Sequence, residues 1–209
     1  MFLKISIFKT LLKNAWKGAG LTVGNDGDGI YLMGGYWSIW LEKTQMTKKA
    51  KATIMELTGE FPPPGSAFKA WKDQNNQYEM PEVYDYDLYN PNTKGFKIRY
   101  ENTGVMFDGH RTDIVVLQNQ DTGKCIMVSR LIMDMVDINS REEGEGLPTG
   151  PIGRYGYIRG TTEIFWQNEA CTLKCMPIIM TEDTKETFVL DRLAEYDFAK
   201  GEKNAGSKE

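Results

Sequence analysis

The sequence predicts an α+β protein with antiparallel sheets and a few amphipathic helices. Three observations predict it. Two segments, near residues 6–17 and 47–58, repeat their apolar residues at steps of three and four. Short runs rich in Val, Ile, Tyr, Trp and Thr recur between Gly, Asn and Asp turn signals. The chain has 209 residues, 41% of them hydrophobic. A chain of that length buries on the order of 70% of its unfolded surface.

Residues 1–5 read as a short strand. Ser6 follows as an N-cap, since its hydroxyl can accept from a free amide of the first helical turn. Phe8, Leu11, Leu12, Ala15 and Trp16 then line one face of a helix, and Lys9, Lys13 and Lys17 recur on the opposite side. Gly18 and Gly20 stop it. Residues 21–46 read as β-structure, with a turn at Asn25–Gly29 and a bend at Gly34-Gly35. A second helix is predicted over 47–58, capped by Thr47. Ala50, Ile54 and Leu57 face inward, with Lys48, Lys49 and Lys51 on its polar side.

Glu60 to Lys94 reads as a long connector. Phe61-Pro-Pro-Pro-Gly65 breaks regular structure, and Glu79 to Tyr89 is acidic and Tyr-rich with no helical period. Strands resume at 96–100, 104–107, 112–118 and 124–128. A third helix is predicted at 129–138, with Leu131, Ile132, Met135 and Val136 inward, then a Gly/Pro/Glu loop at 139–153. Strands return at 154–159, 161–166, 171–180 and 187–190. The organisation is thus an N-terminal α+β half (1–75), an acidic Tyr-rich connector (76–95), a β-rich half (96–198) and a disordered tail (199–209).

No apolar run reaches the roughly 18–20 residues of a membrane span, so no membrane is expected. Met1-Phe-Leu-Lys-Ile-Ser lacks the pattern of a signal peptide. Cys125, Cys171 and Cys175 are too few for a disulfide scaffold and suit a reducing cytoplasm. They read as free thiols on strands, and no metal or cofactor is expected. Nor is an enzyme. His110 is the one histidine, and no G-x-S-x-G, Walker A, H-E-x-x-H or C-x-x-C pattern occurs. Asp26 and Asp28 read as a plain turn, and Glu142, Glu143 and Glu145 as a solvated run.

Charge is uneven. The chain carries −4 overall. Residues 1–60 hold eight Lys and five Asp/Glu, net +3, so the remainder carries −7. Six of those eight, Lys9, Lys13, Lys17, Lys48, Lys49 and Lys51, lie on the two predicted helices. Side by side on one sheet, the helices would present a basic surface suited to phosphates. Near the other end, Met176, Ile178 and Met180 flank Pro177, which marks a strand edge or end. Methionine suits a pocket for varied peptide side chains.

The element order resembles that of the DNA sliding clamp family. Two local stretches carry the resemblance. One is Ile5-Ser-Ile-Phe-Lys-Thr-Leu-Leu-Lys13. The other is Val128-Ser-Arg-Leu-Ile-Met-Asp-Met-Val136, with Thr161-Thr-Glu-Ile-Phe165 and Cys175-Met-Pro-Ile-Ile-Met180 downstream. Together they cover well under a third of the chain. The resemblance implies two clamp-like halves and a homo-oligomeric ring of three chains. Helices would line a hole around duplex DNA, touching its backbone without sequence specificity and tethering a polymerase or other replication protein. It places Met176 and Pro177, with Ile178 beside them, in a partner-peptide pocket. The six lysines take the DNA side by their helix faces. A phage or mobile-element source, acting in the host cytoplasm, is expected. The alternative is a small phage accessory or anti-defence protein that inhibits a host protein through acidic Glu79, Glu82, Asp85 and Asp87.

Overall fold

A computed structural model describes residues 1–78, 95–108, 113–141, 143–155, 162–178 and 185–203. In chain order the elements are α1 (Ile5–Lys17), β1 (Leu21–Asn25), β2 (Gly29–Met33), β3 (Trp37–Glu42), α2 (Lys48–Thr58), β4 (Ser66–Ala70), β5 (Ile98–Phe107), β6 (Ile114–Asn119), β7 (Cys125–Ser129), α3 (Arg130–Met135), β8 (Thr149–Tyr155), β9 (Thr162–Gln167), β10 (Cys171–Cys175), α4 (Lys185–Leu193), β11 (Tyr196–Asp197) and β12 (Glu202–Lys203). The protein is α+β, with β1–β10 in large antiparallel sheet structure. Its contacts divide it into two units. The first comprises Met1–Thr93, Asp134–Thr149 and Trp166–Lys174, and the second Lys94–Met133, Gly150–Phe165 and Cys175–Glu209. The sequence reading draws contiguous segments instead.

In the first unit the strand order is β4-β1-β2-β3-β10. The register puts Phe68, Val23, Leu32 and Ile39 in one row across β4, β1, β2 and β3. All four are buried, and Ile39 shares its strand face with Trp37. Trp37 and Ala15 of α1 close together over Gly34, so this row faces α1. Phe8, Leu11, Leu12 and Ala15 are buried on α1, as their spacing predicts. On the opposite face a second row runs Ala67, Gly24, Tyr31, Trp40. Tyr31 lies across Gly24, where an added Cβ would come within 1.7 Å of its ring, and Trp40 lies across Gly29, where an added Cβ would fall 2.4 Å from the indole.

α2 begins where its sequence says. The Thr47 hydroxyl oxygen accepts from the Ala50 amide at 3.2 Å, a cap that contributes about 1 kcal/mol. Gly59 ends the helix with φ 75, a left-handed conformation that glycine adopts without strain. α1 differs from expectation. It starts at Ile5, with Lys4 rather than Ser6 at the N-cap and no side-chain cap. Leu3 forms only an isolated bridge, to Val136. Tertiary hydrogen bonds set this start, from Lys4 N–H to Met135 O at 2.9 Å and from Asp137 N–H to Phe2 O at 2.8 Å.

The larger departure is β4. Residues 66–70 belong to the expected connector, yet they pair with β1 from Leu21↔Ala70 to Asn25↔Ser66. The proline segment is itself anchored. Asn25 Nδ2 donates to Pro62 O at 2.8 Å, and Gly65 N–H donates to Asn25 O at 2.7 Å. Residues 79–94 of that connector lie outside the described residues.

In the second unit the order is β9-β8-β5-β6-β7. β5 runs unbroken to Phe107, taking the expected turn at Asn102-Thr-Gly as a register shift between Asn102 and Met106. The helix expected at 129–138 is the shorter α3 followed by a 3-10 turn, Ile138–Ser140. β8 starts at Thr149, inside the expected loop. The strand expected at 171–180 ends at Cys175, two residues before Pro177. The strand expected at 187–190 is helix α4, which packs on β7. Glu186 in its first turn and Arg192 in its last suit a helix dipole. Residues 199–203, read as disordered tail, close the β11–β12 hairpin. Buried Gln118 on β6 holds that hairpin, donating to Tyr196 O at 2.6 Å and accepting from Phe198 N–H at 3.0 Å. Residues 204–209 lie outside the described residues.

Candidate functional site

The first unit carries the candidate site on α1 and α2. The two helices pack against each other, and Lys9 Nζ of α1 reaches Glu56 Oε2 of α2 at 2.5 Å. That hydrogen bond, the Lys9 charge and the nearby Lys13 ammonium hold the Glu56 carboxyl below its ordinary value. Among the described residues, Lys9 is the only one of the six predicted lysines in an ion pair. Lys13 and Lys17 are exposed on α1, and Lys48, Lys49 and Lys51 are exposed in the first turns of α2. The six do not share one face. Lys49 precedes Glu56 by seven residues, so it lies on the flank nearest α1, while Lys51 is turned about 200° further round the helix. Lys48 is turned about 100° from Lys49 and only about 60° from Lys51, so of the three α2 lysines Lys49 alone stands on the flank nearest α1, the helix that carries exposed Lys13 and Lys17.

The placement on α2 has an electrostatic cost. The first turn of a helix carries partial positive charge, and acids are favoured there. α2 has no acid in its first turn and three lysines within four residues of its start. Each costs about 0.3–1 kcal/mol at low ionic strength, unless an anion offsets it.

Where α1 and α2 begin, a cavity of about 710 Å³ opens. Met1, Leu3, Ile5 and Met46 form its apolar wall. Gln45, Thr47, Lys48, Lys49 and Ser140 supply polar groups. No carboxylate is among its described lining residues. The terminal ammonium of Met1 is taken up by the Glu145 carboxylate, so Glu145 is no part of a solvated run. The sequence hides this cavity because its lining comes from residues 1–5, 44–49 and 140. The weak signal was Thr47, which marks where α2 starts.

The remaining candidates separate. Met176 is 48% exposed, and Pro177 and Ile178 are half-buried. The Ile178 amide donates to Met127 O at 2.7 Å, which bridges it to β7. Met180, His110, Glu142 and the acidic set Glu79, Glu82, Asp85 and Asp87 lie outside the described residues. The Asp26 carboxylate accepts from the amides of Asp28 and Gly29 and from Trp40 Nε1, which accounts for it as a turn residue. Among the described residues no group of three or more His, Cys, Asp or Glu is placed to hold a metal ion, and no helix is long and apolar enough to cross a membrane.

The three cysteines are free. Burial raises the Cys171 thiol, pushes Cys175 up to about 12, and pushes Cys125 to about 11 against an opposing hydrogen bond from Gln118. A thiol whose folded pKa lies above its unfolded value stabilises the fold below the unfolded value and loses that contribution as pH rises. For Cys175 the loss begins near pH 9 and proceeds at about 1.4 kcal/mol per pH unit. Cys175→Ala removes this loss. Urea unfolding at pH 8 and pH 10.5 is therefore expected to show the gap between wild type and variant narrowing by about 1 kcal/mol or more at the higher pH. A constant gap refutes it.

No family model, no curated protein and no solved structure matches this chain.

Proposed function

We propose that this protein binds the backbone of duplex DNA without reading its sequence, as a sliding-clamp-like tethering factor. The observation that supports this best is that two packed helices carry exposed Lys13, Lys17, Lys48 and Lys49, with all three α2 lysines, Lys51 included, near a helix start that already repels cations. A protein tolerates such placement when an anion offsets it. Phosphates do so through point-charge contacts that need no base readout. The basic charge is concentrated in residues 1–60, net +3, while the rest of the chain carries −7.

The tether for a polymerase or other replication protein rests on the resemblance to clamps, as do the ring and a cytoplasmic place of work. In a ring joined edge to edge, the outer strands of each chain would pair with the next. β4 and β7 already carry backbone bridges on Lys69 and Met127, to Gln77 and Ile178. Ring closure would displace those bridges, so the solution mass separates encirclement from open binding. Three chains per particle supports the ring, and a monomer removes it while leaving backbone binding in place.

The test of DNA binding is fluorescence anisotropy of a labelled duplex between 50 and 200 mM salt. Four phosphate contacts give a log–log salt slope of about −3.6. The quadruple variant Lys13→Glu, Lys17→Glu, Lys48→Glu, Lys49→Glu is expected to bind at least about 100-fold more weakly. Wild-type protein that ignores DNA at low salt, or a variant that binds as well as wild type, overturns the reading.

A further inference from the structure

We propose that Glu56 is a built-in competitor of the DNA backbone: its carboxylate occupies Lys9 and weakens the hold of Lys13, so the two helices bind DNA less tightly than their lysines allow. This rests on the backbone-binding reading and names how that surface is regulated. α1 and α2 together carry Lys9, Lys13, Lys17, Lys48, Lys49 and Lys51 but one acid, Glu56. That acid stands against a lysine of the other helix, with its Oε2 2.5 Å from Lys9 Nζ. The Lys13 ammonium, about one helical turn beyond Lys9, also draws the Glu56 carboxyl below its ordinary value. A carboxylate oxygen hydrogen-bonded to one ammonium and attracted by a second does there what a phosphate oxygen would do.

Helix stability does not account for that acid. Glu56 lies in the last turn of α2, where the helix dipole disfavours a negative charge. The Lys9 side chain is 42% exposed and that of Glu56 57%, and an ion pair so open to water adds little to stability. The pair can therefore open readily when phosphates arrive. A strand that displaces Glu56 gains Lys9. It also sets a carboxylate free beside its own phosphates, and that repulsion offsets part of the gain. Glu56 thus lowers affinity for DNA while leaving Lys17, Lys48 and Lys49 untouched, since among the described residues its one ion pair is with Lys9.

The experiment is the anisotropy titration of the labelled duplex across the same salt range, with Glu56→Gln, which keeps the side chain's shape and removes its charge. Lys9 then joins as a fifth phosphate contact. The log–log slope is expected to steepen from about −3.6 to about −4.5, and affinity at about 100 mM salt to rise about five- to tenfold. Adding Lys9→Gln to Glu56→Gln should return the slope to about −3.6. Asp28→Asn removes an exposed charge of the same sign at the turn between β1 and β2, and should leave the slope unchanged. A Glu56→Gln slope equal to that of wild type, or a rise in affinity that Asp28→Asn matches, overturns this inference and leaves the backbone-binding reading standing. Failure of both wild type and Glu56→Gln to bind DNA at low salt overturns both.

Discussion

Gly24→Ala is expected to lower the unfolding free energy by about 3 kcal/mol or more, the upper end of what overpacking costs. A Cβ at residue 24 falls 1.7 Å from Cε1 and Cζ of Tyr31, far inside van der Waals contact. Strand β1 is buried along its whole length, so it has no room to retreat. Tyr31, 3% exposed and packed with Ala67 and Trp40, must leave its site instead. That movement uncovers aromatic area and disturbs the row across four strands. The test is a double-mutant cycle by urea denaturation. Gly24→Ala should cost less than about 1 kcal/mol in a Tyr31→Ala background, because the colliding ring is gone. An equal cost in both backgrounds would show that the ring over Gly24 is not what excludes a side chain.

Phe68→Ala is expected to cost about 3–5 kcal/mol. Phe68 is fully buried, lies opposite Val23, and meets the Tyr78 ring edge-on with centroids 5.3 Å apart. Its removal leaves a hole in the layer facing α1, and flanking strands held by ladder hydrogen bonds relax only partly. The measurement is the urea midpoint at unchanged m value, with the far-UV dichroism of the native state as a check on folding. A cost below about 1 kcal/mol would make residues 66–70 a loose connector after all. The lysine variants answer a separate question, that of the proposed DNA contact, since their side chains are exposed on α1 and α2 and fill no part of the core.

Local chemistry made α1, α2 and the meander β1–β3 readable. Phe8, Leu11, Leu12 and Ala15 obey the helical period, Thr47 caps, and Asn25–Gly29 turns. β4 was hidden because Pro62, Pro63 and Pro64 announce a break, and a five-residue strand is too short to show a period against it. What makes it a strand is the waiting edge of β1, a tertiary effect. α4 was misread because Thr187-Phe-Val-Leu190 favours a strand locally, whereas the three- and four-residue steps among Val189, Leu190 and Leu193 carried the helical signal. At the candidate site, the lysine spacing was legible. That Glu56 neutralises Lys9 was not, because the partners are 47 residues apart in sequence.

The first unit is stitched from three stretches, and this has a consequence for biosynthesis. While the nascent chain emerges, residues 1–93 hold both basic helices and four strands, but the edge of β3 stays bare until β10 arrives. The backbone of Phe2 and Lys4 likewise waits for Asp137 and Met135. A fragment ending at residue 93 is therefore expected to be sticky and poorly cooperative. Adding residues 134–174 in trans should rescue it, whereas a cut made within 79–94 of the finished molecule should leave both pieces bound together.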